Sequence, residues 1–255
     1  MATALITGAS AGLGLEFAWQ LATARHDLVL VARDEERLER VAAQIRAAAG
    51  VRVQVLPADL SVPDDVARVA ARLAVLEEDE AGQRPVGLLV NNAGYTVRQR
   101  FVGGDVEAEV KALDVMVRAV LVLSHAAAGQ MTERGRGAIL NVASVAALTA
   151  GGTYSAAKAW VRTFTEGLAV ELRGTGVTAT ALCPGLTHTE FHERAGIDYT
   201  QLPDVVWLNA DRVVSAALAD VRRGVVISTP SLRYRLASGL LKIAPRAAVR
   251  AFEGR

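Results

Sequence analysis

Short, continuously apolar runs rich in β-branched residues alternate along this chain with longer segments whose apolar residues have helical spacing. Because the interiors of the short runs are apolar throughout, they predict strands buried on both faces. Such alternation is typical of right-handed β-α-β crossovers, which place helices on both faces of a parallel sheet. The predicted strands are Thr3 to Thr7, Leu28 to Val31, Val51 to Leu56, Gly87 to Asn91, Ala138 to Val142, Val177 to Leu182 and Val225 to Ser228, and the predicted helices are Leu13 to Arg25, Glu35 to Ala49, Asp64 to Asp79, Val106 to Arg134, Tyr154 to Arg173 and Asp211 to Arg223. We therefore predict an α/β fold, a single doubly wound domain around a parallel sheet of about seven strands.

The composition is that of a soluble globular protein. The 255 residues are 51% hydrophobic and 22% charged, and no low-complexity or Pro/Gly-rich linker divides them. A net charge of +1 gives no general reason to expect a nucleic-acid partner. A single cysteine, Cys183, excludes an internal disulfide and a Cys-based zinc cluster, so we expect a cytoplasmic protein. We expect no signal peptide, because no charged residue precedes the first apolar run and Thr7 and Gly8 interrupt it. We expect no membrane span either, because no other stretch reaches roughly 20 apolar residues.

The first predicted strand leads into a glycine-rich turn, ITGASAGLG at residues 6–14. Its G-x-S-x-G pattern around Ser10 is that of a hydrolase's nucleophilic serine, but such a serine follows a later strand and needs a partner histidine, and none of the four histidines is an obvious one. The turn also suits a phosphate-binding loop at a helix N-terminus, with Gly8 in the tight turn, Gly12 beneath a pyrophosphate and Gly14 against the strand. The spacing G-x-x-x-G-x-G favours this second interpretation without deciding it.

Four further features follow in a fixed order along the chain, three of them after predicted strands and one, the Tyr154 motif, at the start of a predicted helix. They are Asn91-Asn92-Ala93-Gly94, Ser144, Tyr154-Ser155-Ala156-Ala157-Lys158, and Pro184-Gly185 with Thr189. Together with the glycine turn they resemble the short-chain dehydrogenase/reductase family over residues 1 to about 230. The resemblance implies a Rossmann-type fold and an oxidoreductase that interconverts a ketone or aldehyde and an alcohol, with NAD(P) as the cofactor.

The resemblance also implies which residues hold that cofactor. The pyrophosphate and the adenosine ribose would be bound by the glycine-turn residues Gly8, Ser10, Gly12, Leu13 and Gly14. The adenine would be contacted by Asp59 and Leu60, and its ribose side would be bordered by Asn91, Ala93 and Gly94. The nicotinamide would be positioned by Pro184, Gly185, Leu186 and Thr189.

The end of the second strand favours NADP(H) over NAD(H). Members that use NAD usually carry an acid at the position of Ala32, and Arg33 can pair with a 2'-phosphate. Asp34 could weaken this preference, but an aspartate just before Glu35 suits a helix N-cap. Ala11 withholds the second basic residue that many NADP-dependent members place in the glycine turn, so the preference could be partial.

By the same resemblance, Ser144, Tyr154 and Lys158 are the catalytic residues. Tyr154 and Lys158 lie four residues apart, which puts both on one face of a helix. Because the pKa of a free phenol lies near ~10, Tyr154 needs nearby positive charge to exchange its proton at neutral pH. Tyr154 would act as general acid and base, Lys158 would hold the nicotinamide ribose, and Ser144 would bind the substrate oxygen.

Two departures from the family pattern concern this site. Met116 aligns with an asparagine whose main-chain carbonyl, at a kink in its helix, helps to hold a relay water, and methionine keeps only the carbonyl. The loop from Ala147 to Thr153 is shorter than usual, which should alter the pocket more than the chemistry. These departures favour an alternative of another class, a non-catalytic NADP(H)-binding sensor or scaffold, although the intact Ser144, Tyr154 and Lys158 argue against it.

The remaining segments concern substrate and partners. Residues 187–207 are predicted to form a substrate lid, and its members His188, Phe191, His192, Tyr199 and Trp207, with Tyr95, Val97, Phe101 and Leu148, predict a hydrophobic carbonyl or alcohol substrate. In the family, the helices Val106 to Arg134 and Tyr154 to Arg173 commonly form subunit contacts, so we expect a homodimer or homotetramer.

We divide the chain into a catalytic domain, residues 1–230, and a basic amphipathic tail, residues 231–255. Leu232, Leu236, Leu240 and Ile243 have helical spacing, and Pro245 predicts a break between two short helices. We expect the tail to pack on its own domain or on a neighbouring subunit. The alternative is a contact with a membrane surface or an acyl carrier.

Overall fold

The computed structural model describes residues 2–78, 80, 82–190 and 203–253. Its strands are β1 (Thr3–Thr7), β2 (Asp27–Ala32), β3 (Val53–Pro57), β4 (Val86–Asn91), β5 (Gly137–Val142), β6 (Val177–Leu182), β7 (Thr187–His188), β8 (Leu208–Asn209) and β9 (Ile227–Ser228). Its α-helices are α1 (Gly12–Thr23), α2 (Glu35–Ala49), α3 (Pro63–Leu73), α4 (Val106–Leu113), α5 (Ala119–Glu133), α6 (Gly152–Glu171), α7 (Ala210–Arg222), α8 (Leu232–Ile243) and α9 (Arg246–Glu253).

Seven strands form one parallel sheet in the order β3-β2-β1-β4-β5-β6-β9, which confirms the predicted doubly wound fold. Side chains of β1 alternate between two buried cores. Ile6 packs towards α1, α2 and α7, whereas Leu5 packs towards α3 and α5. Both faces of the sheet are therefore covered, which is why the strand sequences are apolar throughout. The strand order reverses between β1 and β4, where such folds bind ligands beyond the strand ends.

Helix α3 ends at Leu73, earlier than the predicted end at Asp79, which lies outside the described residues. The segment after Leu76 is acidic, and negative charge at a helix C-terminus opposes the helix dipole. Glu78 instead pairs with Arg52 and Arg84, at 3.4 and 3.2 Å.

The predicted helix Val106 to Arg134 contains a π-helical turn, Asp114–Arg118, between α4 and α5. The continuous helical stretch of 28 residues, Val106–Glu133, is long and apolar enough to cross a bilayer, so the expectation that no segment meets this criterion is wrong. In this fold α5 packs on α3 and β5, and its residues Leu123 and Met131 are fully buried. Packing against α3 and the sheet thus accounts for part of this apolar composition, since 39% of the apolar window is buried.

Candidate active site

One cavity of about 1170 Å³ lies at the carboxyl ends of the central strands. It is lined by the glycine turn and by the residues that follow β2, β3, β4, β5 and β6. Of the residues predicted for the site, it brings together Gly8, Ser10, Gly12, Leu13, Arg33, Asp59, Leu60, Ala93, Gly94, Ser144, Tyr154, Lys158, Pro184, Gly185, Leu186 and Thr189. The structure does not bring the other two, Gly14 and Asn91, to the cavity wall.

The glycine turn holds the N-terminus of α1 open towards this cavity. Gly12 has φ +54° and begins α1, directly after Ala11, whose methyl side chain cannot cap the helix. Gly14 lies against the turn that follows β1, because a Cβ there would come within 2.2 Å of the Gly8 carbonyl oxygen. The first backbone amides of α1 thus border a space that suits an anionic group such as a pyrophosphate.

Hydrogen bonds of Asn91 and its neighbours connect the end of β4 to the adjacent strands. Asn91 is buried, and its Nδ2 donates to Asn141 Oδ1 at 2.9 Å and Ser124 Oγ at 3.1 Å, so its side chain points away from the cavity. The hydroxyl of Thr7 accepts hydrogen bonds from the amides of Asn92 and Ala93, at 2.9 and 3.0 Å. These bonds fix the wall formed by Ala93 and Gly94 relative to the glycine turn.

Helix α6 carries Tyr154 and Lys158 on the face that lines the cavity. Lys158 is only 4% exposed, and its Nζ donates to the Val142 carbonyl at 2.7 Å and lies 5.7 Å from the Tyr154 ring centre. Burial lowers the pKa of Lys158 to about 8. Below that pH the ammonium remains charged beside the tyrosine, which favours loss of the phenolic proton.

Ser144 follows β5 and begins the 3₁₀ turn Val145–Leu148. Its Oγ accepts a hydrogen bond from the Ala146 amide at 3.1 Å, which fixes the side chain at the cavity wall. Since a hydroxyl can accept and donate at once, its O–H can still donate to a ligand oxygen in the cavity.

The end of the cavity near β2 is basic. Ala32 and Arg33 line it, and so does Arg37, which is not among the residues predicted from the sequence. Arg37 Nη2 is 2.5 Å from Glu190 Oε1, an ion pair across the cavity. Asp34 caps α2 by accepting from the Arg37 amide at 2.9 Å, which confirms its interpretation as an N-cap.

Comparison with known proteins decides the family. Residues 2–199 match the short chain dehydrogenase family. This protein belongs to the short-chain dehydrogenase/reductase family. It is an oxidoreductase that acts between CH–OH and C=O groups with a nicotinamide cofactor.

Solved structures of other short-chain dehydrogenases are similar over nearly the whole chain. One from Sphingobium yanoikuyae, in complex with NADPH, is 37% identical with a TM-score of 0.82 and covers 97% of this chain and 98% of its own. The bulky-bulky ketone specific alcohol dehydrogenase from Comamonas testosteroni is 30% identical with a TM-score of 0.78, at 97% and 96% coverage. Sulfoacetaldehyde reductase 2 from Chromohalobacter salexigens is 36% identical over 192 residues, which are 73% of each protein.

Met116, where the short-chain dehydrogenase pattern has asparagine, lies in the π-helical turn and is 2% exposed. A Cβ built on Gly94 would lie 3.3 Å from both Met116 Cγ and Lys158 Nζ, so Met116 and Lys158 meet at Gly94. Here the methionine places a thioether where the family pattern has a side-chain amide. The surroundings of Lys158 are less polar in consequence, in agreement with its lowered pKa.

The substrate end is described in part, because Phe191, His192 and Tyr199 lie outside the described residues. His188 and Trp207 stack with ring centres 4.7 Å apart, and the short pair β7 and β8 joins their segments. Tyr95 lines the cavity as predicted. Phe101 does not, since it is 69% exposed, and Val97 and Leu148 also lie outside the cavity lining. Of these predicted pocket residues, Tyr95 thus contributes directly.

Proposed function

We propose that this enzyme uses NADP(H) to interconvert a hydrophobic ketone or aldehyde and its alcohol, with Tyr154 as the general acid and base. One observation carries the proposal: a single cavity joins the open N-terminus of α1 and the basic end at Arg33 to Ser144, Tyr154 and Lys158. An anion site, cations for a further phosphate and a proton-transfer group are the requirements of this reaction.

The bound cofactor would supply the hydride in reduction and accept it in oxidation. The chain's own residues position the substrate and move the proton. Ser144 donates a hydrogen bond to the substrate oxygen and holds it near Tyr154. The phenol O–H of Tyr154 gives its proton to that oxygen in carbonyl reduction, and the phenolate takes the proton in alcohol oxidation. The charged Lys158 lowers the proton affinity of the phenol.

The preference for NADP(H) rests on charge at the β2 end. Ala32 presents no acid that would repel a 2'-phosphate, and Arg33 lines the cavity. Arg37 adds a second cation at this end of the cavity, and its guanidinium is paired with the Glu190 carboxylate. The side chain of Asp34 is engaged in capping α2, which reduces its competition for Arg33. The NADPH bound to the relative from Sphingobium yanoikuyae supports the same preference.

A hydrophobic substrate is supported by Tyr95, which lines the cavity, and by the stack of His188 on Trp207, where His188 lies between the cavity-lining Thr187 and Thr189 in the chain. The ketone specificity named for the relative from Comamonas testosteroni supports a bulky carbonyl compound. We also propose a cytoplasmic homodimer or homotetramer built on α5 and α6, where Leu121 and Val170 are 45% and 54% exposed.

The test is a screen of bulky ketones, aldehydes and alcohols with NADPH and NADH side by side, with dissociation constants for both cofactors. We expect turnover of apolar carbonyl compounds and tighter binding of NADPH. Equal affinities would refute the cofactor preference. NADPH binding without turnover of any compound would favour the non-catalytic sensor or scaffold.

A further inference from the structure

Helix α8 carries a stripe of four aliphatic side chains that faces away from the protein. Leu232, Leu236, Leu240 and Ile243 are spaced by four, four and three residues, so they lie on one side of the helix. They are 68%, 64%, 66% and 80% exposed. Within the described residues the stripe therefore does not pack on its own domain, although the opposite side of the helix does; a contact with a neighbouring subunit, the other half of that expectation, stays a prediction. Contiguous exposed apolar surface of this kind marks an interaction site.

The opposite side of α8 is fastened to the rim of the cavity. The hydroxyl of Tyr234 donates to the Val206 carbonyl at 2.7 Å and accepts from the Leu186 amide at 3.2 Å. Its ring lies directly on Gly185, where a Cβ would come within 2.1 Å of it. Arg246 then donates to the Leu148 carbonyl at 3.1 Å. The stripe thus has a fixed orientation beside the cavity-lining residues Gly185 and Leu186.

Exposed cations border the stripe on both sides. At about 100° per residue, Arg233 lies beyond one edge of the stripe, and Arg235 and Lys242 lie beyond the other. From Pro230 onward the chain has six Lys or Arg residues and one acid, Glu253. One of these cations, Arg233, also donates to the Val205 carbonyl. A helix with an aliphatic stripe, flanking cations and no acidic residue is typical of one that lies in the surface of an anionic bilayer.

We propose that α8 binds an anionic lipid surface through this stripe. Lipid offers hydrocarbon to the leucines and negative headgroups to the flanking cations at the same time. Two copies of this chain that joined their stripes face to face would bring Arg233, Arg235 and Lys242 of both into proximity, a repulsive arrangement. The stripe also lies outside residues 2–199, which match the family. Lipid is therefore the occupant that both the apolar and the charged features favour.

Membrane binding in this orientation has a consequence for the substrate. Because α8 is fastened to the cavity rim, the cavity would stand beside the bilayer, from which an apolar carbonyl compound could enter. This consequence rests on the proposed function, whereas lipid binding by α8 does not. A binding measurement without substrate or cofactor separates the two.

The experiment is co-sedimentation of the full-length protein with vesicles of phosphatidylcholine alone or mixed equally with phosphatidylglycerol. We expect binding to the mixed vesicles only, weakened by salt. The double variant Leu236→Ser/Leu240→Ser should lose about tenfold in affinity for each leucine. Lys242→Ala should lose about fivefold. The matched control is Leu76→Ser, which changes a leucine that is 38% exposed after α3 and should bind as the wild type does.

Three results would overturn the proposal. One is an absence of binding to the mixed vesicles. A second is vesicle binding that the leucine changes leave intact while Lys242→Ala abolishes it, since an acidic soluble partner would then fit better. The third is dissociation of an oligomer by the leucine changes in sedimentation velocity without lipid, because the stripe would then be a subunit interface. Circular dichroism of each variant checks that the fold is retained.

Discussion

Replacing Lys158 with methionine tests whether the buried charge that the catalytic site requires destabilises the fold. Methionine is also unbranched and only one heavy atom shorter than lysine, and it carries no charge. Burial lowers the pKa of Lys158 from 10.5 to about 8, so the unfolded chain holds this proton more tightly than the folded one. At ~1.4 kcal/mol per pKa unit, the buried charge costs about 3 kcal/mol at neutral pH.

The cost depends on pH in a defined direction. Because the folded pKa is the lower one, the penalty is complete below pH 8 and is relieved as the pH rises towards 10.5. The wild type should therefore gain roughly 1 kcal/mol of unfolding free energy relative to Lys158→Met between about pH 7 and pH 9. The variant also loses the bond to the Val142 carbonyl, worth about 1.5–3 kcal/mol. At neutral pH this loss offsets much of the stability that the variant gains by removing the buried charge. The test is therefore how the difference in unfolding free energy between the two proteins changes with pH.

The assay is urea unfolding of the wild type and Lys158→Met across this pH range, without cofactor. Lys111→Met, which removes an exposed lysine from the same cavity, is the matched control and should show no such pH-dependent difference. A constant difference between the wild type and Lys158→Met from pH 7 to pH 9 would refute the idea that Lys158 is a destabilising buried cation.

Two further predictions concern the cofactor. Arg33→Ala should reduce the ratio of NADPH to NADH affinity by about 10- to 100-fold, which corresponds to the loss of one charge-assisted hydrogen bond. The control Arg40→Ala, at an exposed arginine, should leave this ratio unchanged. Fluorescence titration of both variants measures the ratio, and an unchanged ratio in Arg33→Ala would exclude Arg33 from the 2'-phosphate site. Gly14→Ala places a Cβ against the Gly8 carbonyl, so it should weaken NADPH binding and lower the unfolding free energy by more than about 1 kcal/mol. The control Gly129→Ala in α5 should raise the unfolding free energy by about 0.5–1 kcal/mol. Thermal and urea unfolding measure both changes, and equal behaviour of the two variants would contradict the role of Gly14.

Local signals made much of the fold predictable. The alternation of strand and helix and the cap at Asp34 depend on neighbouring residues, and both agree with the structure. The cavity also gathers most of the predicted site, because residues that follow parallel strands meet at one edge of the sheet.

The site features that could not be predicted from the sequence depend on contacts between residues far apart in the chain. Glu190 and Arg37 are 153 residues apart, and no local pattern announces their ion pair. The side chain of Asn91 turns to Asn141 and Ser124 because those strands and helices pack there. The outward direction of the stripe on α8 follows from the anchoring of Tyr234, which spacing alone could not supply.

The central claim is that Tyr154 transfers the proton in an NADP(H)-dependent reduction, and Tyr154→Phe tests it most directly. Steady-state NADPH oxidation would be measured with a ketone that the wild type reduces, beside the NADPH dissociation constants of both proteins. We predict that the variant binds NADPH normally and reduces the ketone about 10²- to 10⁴-fold more slowly, because the phenol proton is lost. Equal rates in the two proteins would contradict the account.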